Sequence, residues 1–226
     1  QQHKTRRCRR IQNGRDFTVT GPFVNEGFVT IGSGSRLGVV TDQTPAYVQS
    51  SGSTTLARGT LETQLFSEAT TIDLQGGLLA GSGTLIGNVR NAAQVDPSRA
   101  TDAIPEAGPL TIQGDYQQTA AGTLKVDVGG LTAGTQFDQL SVTGTADLNG
   151  TVNTAVVNGF SPSSTDRFTV VSAATRTGAF AAINSLKGVS FRAEYDATSV
   201  TLLPAPEDAA IRVDPTTGLF TTEAGG

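Results

Sequence analysis

The chain has 226 residues, of which 16% are charged and 6% aromatic, and its formal net charge is −4 at pH 7. This length is enough to bury a substantial core in one elongated domain. With 27 glycines and no Met or Trp, that core must be built from Val, Leu, Ile, Ala and Thr. A single cysteine and a single histidine exclude an intramolecular disulfide and a zinc site. No apolar run reaches the ~18 residues needed to span a bilayer, so no membrane insertion is expected.

The first ten residues, QQHKTRRCRR, hold five basic side chains and no acid. Without those five, 11 basic residues face 20 acidic ones, so the body of the chain carries a net charge of −9. A basic terminus without aromatic residues favours a solvated tail over a nucleic-acid-binding arm. Residues 1–15 are therefore interpreted as a basic N-terminal tail, with Cys8 as an exposed thiol and His3 too terminal for a catalytic triad. The absence of an initiating Met or a signal sequence indicates a piece of a longer protein.

Short apolar and β-branched runs alternate with small or polar residues from 70 to 130, and Gly or Asn interrupts them every few positions. A period of two predicts strands with one buried face, and the interruptions supply corners where the chain turns. Short strands joined by corners predict an all-β fold, specifically a parallel β-helix, in which each coil of strands stacks on the one before. Residues 16–165 are expected to form its coils.

Four spaced phrases, in this order, carry a resemblance to a known family: GGLLAGSGTLIGNVRN, GPLTIQGDYQQTAAGTLKVDVGG, GTQFDQLSVTGTADLNGTVNTAVVNGFSP and DRFTVVSAATRTGAF. Together they resemble the C-terminal part of β-helical repeat regions in large bacterial surface and secreted proteins, including autotransporter-type passengers and adhesin-like proteins. The resemblance covers about residues 23–203. It implies a right-handed solenoid and an extracellular or cell-surface location, and it brings no catalytic motif.

Near the N-terminus, strands are expected around 17–19, 23–24, 28–31 and 37–40, with turns at 25–27 and 33–35. The segments 46–62 and 115–128 each hold a strand with an aromatic residue and Gln, a small-residue turn and a Thr-Leu strand. They are interpreted as equivalent coils, so Tyr47 and Tyr116 would occupy related positions and stack along the coil. An exposed aromatic platform for carbohydrate is the alternative.

Residues 94–109 hold two internal prolines, Pro97 and Pro105, and the acids Asp96, Asp102 and Glu106. Because proline removes a ladder donor, this segment is predicted to project as a loop, the first place to look for a recognition site. The three acids lack the spacing of a calcium loop, so no metal is predicted.

Further along, the Asn149–Gly150 pair predicts a turn, and Asp138 is expected to hold a turn through backbone hydrogen bonds. Residues 166–203 are predicted to be an antiparallel cap, because the last coil of a solenoid otherwise exposes an unpaired edge. Residues 204–226, with two prolines at the start, are interpreted as a linker and the first strand of a truncated β-sandwich module.

The enzymatic alternative is a polysaccharide-active β-helix, in which carboxylates from neighbouring coils reach the separation that glycoside hydrolysis needs. Its candidates are Asp73, Asp115, Asp127 and Asp138. Against it, Asp127 alternates with Lys125 as on a solvated face, and no aromatic-rich groove is evident. No catalytic, cofactor-binding or metal-binding residue is therefore predicted.

The sequence favours a non-catalytic structural or adhesive segment of a bacterial cell-surface or secreted protein, acting as a stiff spacer or a self-associating scaffold. A carbohydrate-binding adhesin module is the alternative, with the enzyme as a less favoured third reading. Expected partners are a second copy of the chain or surface glycans, with no nucleic acid and no cofactor.

Overall fold

The computed structural model describes residues 6–65, 71–98, 109–205, 211–213 and 220–222. Every regular element in these ranges is a strand, so the predicted all-β class is confirmed. The strands are β1 (Arg6–Ile11), β2 (Asp16–Thr20), β3 (Phe23–Ile31), β4 (Arg36–Thr41), β5 (Tyr47–Gln49), β6 (Ser53–Leu56), β7 (Thr60–Leu65), β8 (Thr71–Leu74), β9 (Leu78–Ala80), β10 (Gly83–Ile86), β11 (Asn88–Asn91), β12 (Gln94–Asp96), β13 (Leu110–Gln113), β14 (Tyr116–Gln118), β15 (Thr123–Val128), β16 (Leu140–Val142), β17 (Thr145–Leu148), β18 (Thr151–Val156), β19 (Phe168–Ser172), β20 (Thr175–Gly178), β21 (Ala182–Lys187), β22 (Phe191–Tyr195), β23 (Ser199–Pro204), β24 (Ile211–Val213) and β25 (Phe220–Thr222).

Three series of hydrogen-bonded strands, called ladders 1 to 3 below, contain all of these strands except β24 and β25. Ladder 1 runs β3, β5, β8, β11, β14, β17, β20, and ladder 2 runs β1, β3, β6, β9, β12, β15, β18, β21. Ladder 3 runs β2, β4, β7, β10, β13, β16, β19, β23, β22. Within each ladder the pairing is parallel as far as β19, β20 and β21. From β4 to β21 the chain thus returns to the same ladder with every third strand.

Strand β3 belongs to two ladders because it bends in the middle. Its first part, from Phe23 to Asn25, pairs with β5, and its second part, from Phe28 to Ile31, pairs with β6. The backbone N–H of Gly27 donates to Asn25 Oδ1 at 3.0 Å, which holds the bend. The predicted turn at 25–27 is therefore wrong in detail, since one continuous strand changes ladder there.

The core consists of apolar columns that run along the ladders. One column of ladder 3 places Leu37, Leu61, Leu85, Ile112 and Val142 in consecutive register. All five are buried. Because paired residues in neighbouring strands lie only ~4.8 Å apart, each of these side chains packs on its equivalent above and below.

Tyr47 and Tyr116 occupy one column of ladder 1, as their equivalent sequence contexts predict. The register runs from Tyr47 to Ile72, then to Val89 and on to Tyr116. Two aliphatic side chains therefore separate the tyrosines, and they do not stack on each other. Tyr47 stacks instead on Phe23, with ring centroids 5.3 Å apart and planes 7° from parallel.

Buried amides follow the tyrosines at the corner between ladders 1 and 2. Asn91 Nδ2 donates to the Tyr116 hydroxyl at 3.0 Å, and that hydroxyl donates to Gln118 Oε1 at 2.8 Å. A similar network, with Thr54 between the tyrosine and the glutamine, lies earlier in the chain. There the Tyr47 hydroxyl lies 2.6 Å from Thr54 Oγ1, and the Thr54 hydroxyl donates to Gln49 Oε1 at 2.6 Å. Two buried polar networks thus lie within the apolar core. Their members bond to one another because a buried polar group needs a hydrogen-bond partner.

The N-terminal segment differs from the predicted free tail. Strand β1 (Arg6–Ile11) pairs in parallel with β3, and Ile11 is buried against the core. Ile11 supplies the apolar contact that a wholly basic tail would lack. Residues 1–5, including His3, lie outside the described ranges, and Cys8 is described only by its backbone position in β1.

The predicted 94–109 loop begins later than expected. Gln94–Asp96 form strand β12, which pairs with β9 and β15, because Gln94 and Val95 continue the alternation of Leu78 and Leu79. Asp102 and Glu106 lie outside the described residues, so the rest of the predicted loop stays a prediction.

Residues 166–203 contain both parallel and antiparallel pairing. Strands β19, β20 and β21 continue the parallel ladders, whereas β23 pairs antiparallel with β19 and β22. The antiparallel part is thus shorter than the predicted cap. Beyond it, β24 and β25 pair antiparallel with each other, and the remainder of 206–226 is not described.

The predicted turn at Asn149–Gly150 is present between β17 and β18. Gly150 has a φ of +65°, and a Cβ at this position would lie 2.2 Å from the carbonyl oxygen of Gly122 in the preceding strand connection. Only glycine fits this close approach of two backbones.

Asn91→Ala is expected to lower the free energy of unfolding by about 1–3 kcal/mol, because it leaves the Ala93 N–H and the buried Tyr116 hydroxyl without their Asn91 partner. Urea unfolding followed by circular dichroism measures this. Asn184→Ala is the matched control, since Asn184 makes an exposed hydrogen bond to Asn153 and should change stability little. Equal effects for the two variants would contradict a structural role for the amide network.

Candidate functional site

Three carboxylates converge beside ladder 2. Asp96 ends β12, Asp127 lies in β15, and Asp138 lies between β15 and β16; one carboxylate oxygen from each lies within 4.8 Å of the others. Register explains the first two, because Val95 pairs with Leu124 and the next residues are Asp96 and Lys125. The two-residue period of a strand then places Asp127 on the same face as Lys125.

Asp138 reaches the cluster from outside the ladder. The segment 129–139 leaves β15 and returns, so that the Asp138 N–H donates to the Asp127 carbonyl at 3.0 Å. In the other direction the Asp127 N–H donates to Asp138 Oδ2 at 2.8 Å. Asp138 therefore holds a chain reversal by accepting a backbone hydrogen bond, the role that the sequence suggests for it.

Lys125 is the counter-charge of the cluster. Its Nζ lies 3.1 Å from Asp96 Oδ2 and 2.7 Å from Asp127 Oδ2. Ser98 adds its hydroxyl, which donates to Asp96 Oδ1 at 2.6 Å. Burial opposes the charge of Lys125, but the hydrogen bonds and charges of Asp127 and Asp96 hold its pKa above the usual value.

Among the carboxyl groups of the described residues, that of Asp138 has the pKa furthest from its ordinary value. Its pKa is raised to about 7, mainly by burial; the nearby carboxylates of Asp127 and Asp96 also raise it, whereas the hydrogen bond from the Asp127 N–H and the charge of Lys125 lower it. Near neutral pH this cluster thus holds two or three negative charges against one positive charge.

The internal bonds restrict what this cluster can do chemically. Calcium takes six to eight oxygen ligands, whereas here the Lys125 ammonium already lies between the oxygens of two of the three acids. Asp138 is 6% exposed, and Asp96 is 2% exposed. Glycoside hydrolysis requires two carboxyls that flank a sugar, and these two are closed off from a substrate of that size. The geometry fits a structural cluster in which Lys125 offsets part of the negative charge.

The four sequence candidates for catalysis do not come together. Asp127 and Asp138 join the cluster, but Asp73 and Asp115 belong to ladder 1. Asp73 pairs with Arg90 at 3.0 Å. Asp115 Oδ1 accepts from the Thr145 N–H at 2.7 Å. Asp73 thus links strands β8 and β11, whereas Asp115 links the connection before β14 to the start of β17.

A second feature lies on the outer face of ladder 1. It is a shallow depression of about 340 Å³ with more apolar than polar surface, lined by Asn88, Val89, Arg90, Asp115, Tyr116, Gln117, Thr145 and Asp147, and is called the ladder 1 depression below. The register places Arg90 beside Gln117 and Gln117 beside Asp147. The Arg90 side chain is 45% exposed, so its planar guanidinium is accessible at this depression.

The aromatic platform considered for Tyr47 and Tyr116 is wrong, because both side chains are buried in the core. A platform for sugar stacking needs an exposed ring face. Burial follows from the alternation of their strands, which directs both rings inward.

Sequence reasoning missed Asp96 and Ser98 as cluster members, because proline-rich surroundings suggested a loop. The alternation of Gln94, Val95 and Asp96 was a usable signal, since it matches that of Thr123, Leu124 and Lys125 in the partner strand. The convergence of Asp138 had no such signal, because it depends on a segment outside the repeat.

No family model matches the chain, and no similar protein was found among curated proteins. Within the part of the chain that the structure describes, no helix is long and apolar enough to cross a membrane.

Lys125→Met is expected to lower the free energy of unfolding by about 1–3 kcal/mol, because it removes the cation from three clustered carboxylates. The loss should stay below that of a fully buried pair, since the Lys125 side chain is 24% exposed. Chemical denaturation at neutral pH measures it. Adding Asp127→Asn to Lys125→Met should restore part of the stability, and a double variant no more stable than the single one would contradict the charge argument.

Proposed function

We propose that this chain is a non-catalytic structural segment, a parallel β-helix of right hand that acts as a stiff spacer or self-associating scaffold. In this proposal it belongs to a bacterial cell-surface or otherwise extracellular protein. The observation that carries the architecture is the return of the chain to the same ladder with every third strand, always in parallel. A chain that winds around one axis produces this pattern of pairing.

Stiffness would follow from the direction of the hydrogen bonds. In a β-helix the backbone bonds of all three ladders run along the axis, so bending or stretching the axis must strain many bonds together. The continuous columns of core side chains add packing along the same direction. Such a body suits the separation of neighbouring modules.

Self-association is supported by the edge of the first strand. Among the described residues, β1 pairs only with β3. Unpaired strand edges are templates for a further strand. The bacterial and extracellular part of the proposal rests on the resemblance of the four phrases that span 76–180.

Distances between spin labels test the winding. Asp16, Thr84, Thr111 and Ser141 lie in one column of ladder 3, where Asp16 and Thr84 are three strand steps apart. In a Cys8→Ser background, labels at Asp16 and one other site should be separated by about 14, 19 and 24 Å for Thr84, Thr111 and Ser141. Double electron–electron resonance measures these distances.

A matched pair at short range is the control. Labels at Thr84 and Thr111, in adjacent strands, should show strong dipolar broadening, whereas Thr84 and Ser141, two steps apart, should show much less. Distances that do not grow by one constant step per strand would contradict the β-helix.

A carbohydrate-binding adhesin module is the second candidate, and the ladder 1 depression is the observation that favours it. Planar polar groups such as those of Arg90, Gln117 and Asp147 can each bond two neighbouring hydroxyls of a sugar. The depression has no exposed aromatic ring among its lining residues. Binding there would therefore depend on hydrogen bonds alone and would be weak for a single sugar unit.

Arg90→Ala separates the two candidates. The protein is incubated with bacterial, plant and host polysaccharides, and both retained protein and released reducing ends are measured. Retention that is lost in Arg90→Ala but kept in Arg36→Ala selects the adhesin, because Arg36 forms a comparable ion pair with Glu62 on ladder 3. No retention supports the scaffold, and released reducing ends would overturn the non-catalytic proposal.

A further inference from the structure

The segment 129–139 folds over the end of β15 and is held there at a few points. Its base is closed by the Gly129 N–H, which donates to the Gln136 carbonyl at 2.7 Å. Near its end, the Phe137 ring is buried and packs edge-on against Phe168, with centroids 5.4 Å apart. The middle is open to solvent, since Leu131 is 58% exposed. At the end of the segment, the Gln139 carbonyl accepts from the Leu110 N–H at 3.0 Å, and Gln139 Nε2 donates to the Thr169 carbonyl at 3.0 Å. The attachment therefore depends on residues 137 to 139.

Asp138 makes the polar part of this attachment. Its carboxylate accepts from the Asp127 N–H, and its own N–H donates to the Asp127 carbonyl. Two hydrogen bonds thus join Asp127 and Asp138, and in both the donor is a neutral backbone N–H. Neither bond brings a positively charged group to the Asp138 carboxylate. The closest cation, Lys125, is bonded to Asp96 and Asp127 instead.

The charged groups that face Asp138 come from two strands. Among the described residues these are Asp96 from β12, and Lys125 and Asp127 from β15. With Asp138 uncharged, two carboxylates share one ammonium. With Asp138 ionised, a further charge is buried and three carboxylates within 4.8 Å share that ammonium, so burial of the charge, and then repulsion, opposes the attachment.

We propose that the segment 129–139 is a pH-dependent latch, held closed against β15 when Asp138 is protonated and loosened when Asp138 ionises. This goes beyond the scaffold function, which requires no moving part. Opening exposes the Phe137 ring on the segment that also carries the exposed Leu131, so the chain presents an apolar surface near neutral and alkaline pH and hides it in acid.

The direction follows from linkage between protonation and closure. The pKa of Asp138 is raised to about 7 from the ordinary value of 3.8 that an opened, solvated carboxyl would take. Closure is therefore favoured most below about pH 4, weakens as the pH rises to about 7, and changes little above that. With pKa values of 3.8 in the open form and about 7 in the closed form, the equilibrium constant for opening is about thirtyfold larger at pH 8.5 than at pH 5.5.

Amide hydrogen exchange followed by NMR tests the latch in the whole chain. The reporters are the Gly129 and Asp138 amides, which bond across the base and the end of the segment. After correction for the intrinsic pH dependence of exchange, their protection should fall by about thirtyfold between pH 5.5 and pH 8.5. Amides of β10, within ladder 3, should show no comparable fall.

Asp138→Asn removes the titration while it keeps a side-chain oxygen that can accept from the Asp127 N–H. Protection in this variant should not depend on pH between pH 5.5 and pH 8.5. Asp147→Asn is the matched control, because Asp147 is an exposed carboxylate bonded to Gln117 and Thr177 on ladder 1. That variant should keep the wild-type pH dependence.

Two results would overturn the latch. One is wild-type protection that does not change with pH, and the other is the same pH dependence in Asp138→Asn as in wild type. If Asp138→Asn does not fold, the carboxyl carbon of Asp138 is titrated by NMR in the wild-type chain. A pKa below about 5 in that titration would leave too little driving force and would also overturn the proposal.

Discussion

Parallel register is the constraint on which the rest of this structure depends. Each residue in a ladder lies directly against one residue of the strand above and one of the strand below, at ~4.8 Å. An inward polar side chain must therefore find its partners close to its own column. The amides of Asn25 and Gln49 and those of Asn91 and Gln118 meet this condition, because an amide both donates and accepts. Between these two pairs the column position is Leu74, which needs no partner.

The same register governs charge on the outer faces. Glu62 lies against Arg36 through the neighbouring positions of β4 and β7, and hydrogen bonding to Arg36 lowers the pKa of Glu62. Asp73 and Arg90 are direct register partners of opposite sign. Asp138 breaks this rule because it comes from a segment outside the ladders, where no cation faces it in register. Burial of this carboxyl is the main cause of its raised pKa, and the neighbouring carboxylates of Asp127 and Asp96 add to it.

The parts of the fold that repeat could be predicted from the sequence, and the parts that do not repeat could not. Alternation predicted strands, and shared context placed Tyr47 and Tyr116 in one column. The sequence could not predict whether the two tyrosines contact each other. The number of strands between them in the column depends on the lengths of the connecting segments, which vary along the chain. The change of ladder within β3 was missed for a related reason: Asn25 and Gly27 carry the sequence signals of a turn but bend a continuous strand.

The candidate site shows the same division. The pairing of Lys125 with Asp127 follows from a period of two within one strand, so the sequence predicts it. Asp96 joins them through register between strands, which only the comparison of Gln94 to Asp96 with 123–125 could suggest. Asp138 joins through a chain reversal whose geometry rests on Phe137 packing against Phe168. No local pattern encodes that contact.

Specific chemistry arises in this fold at the positions where register partners do not match in charge or polarity. Along most columns, polar groups are used in bonds between neighbouring strands, which leaves few of them for a ligand. At the ladder 1 depression, Arg90 has Asp73 on one side but the neutral Gln117 on the other, so part of its charge is available to solvent. At Asp138 the imbalance has the opposite sign and is buried. A repetitive fold therefore gains specific chemistry where the repeat is imperfect: the depression involves β8, β11, β14 and β17 of ladder 1, and the Asp138 cluster lies beside β12 and β15 of ladder 2.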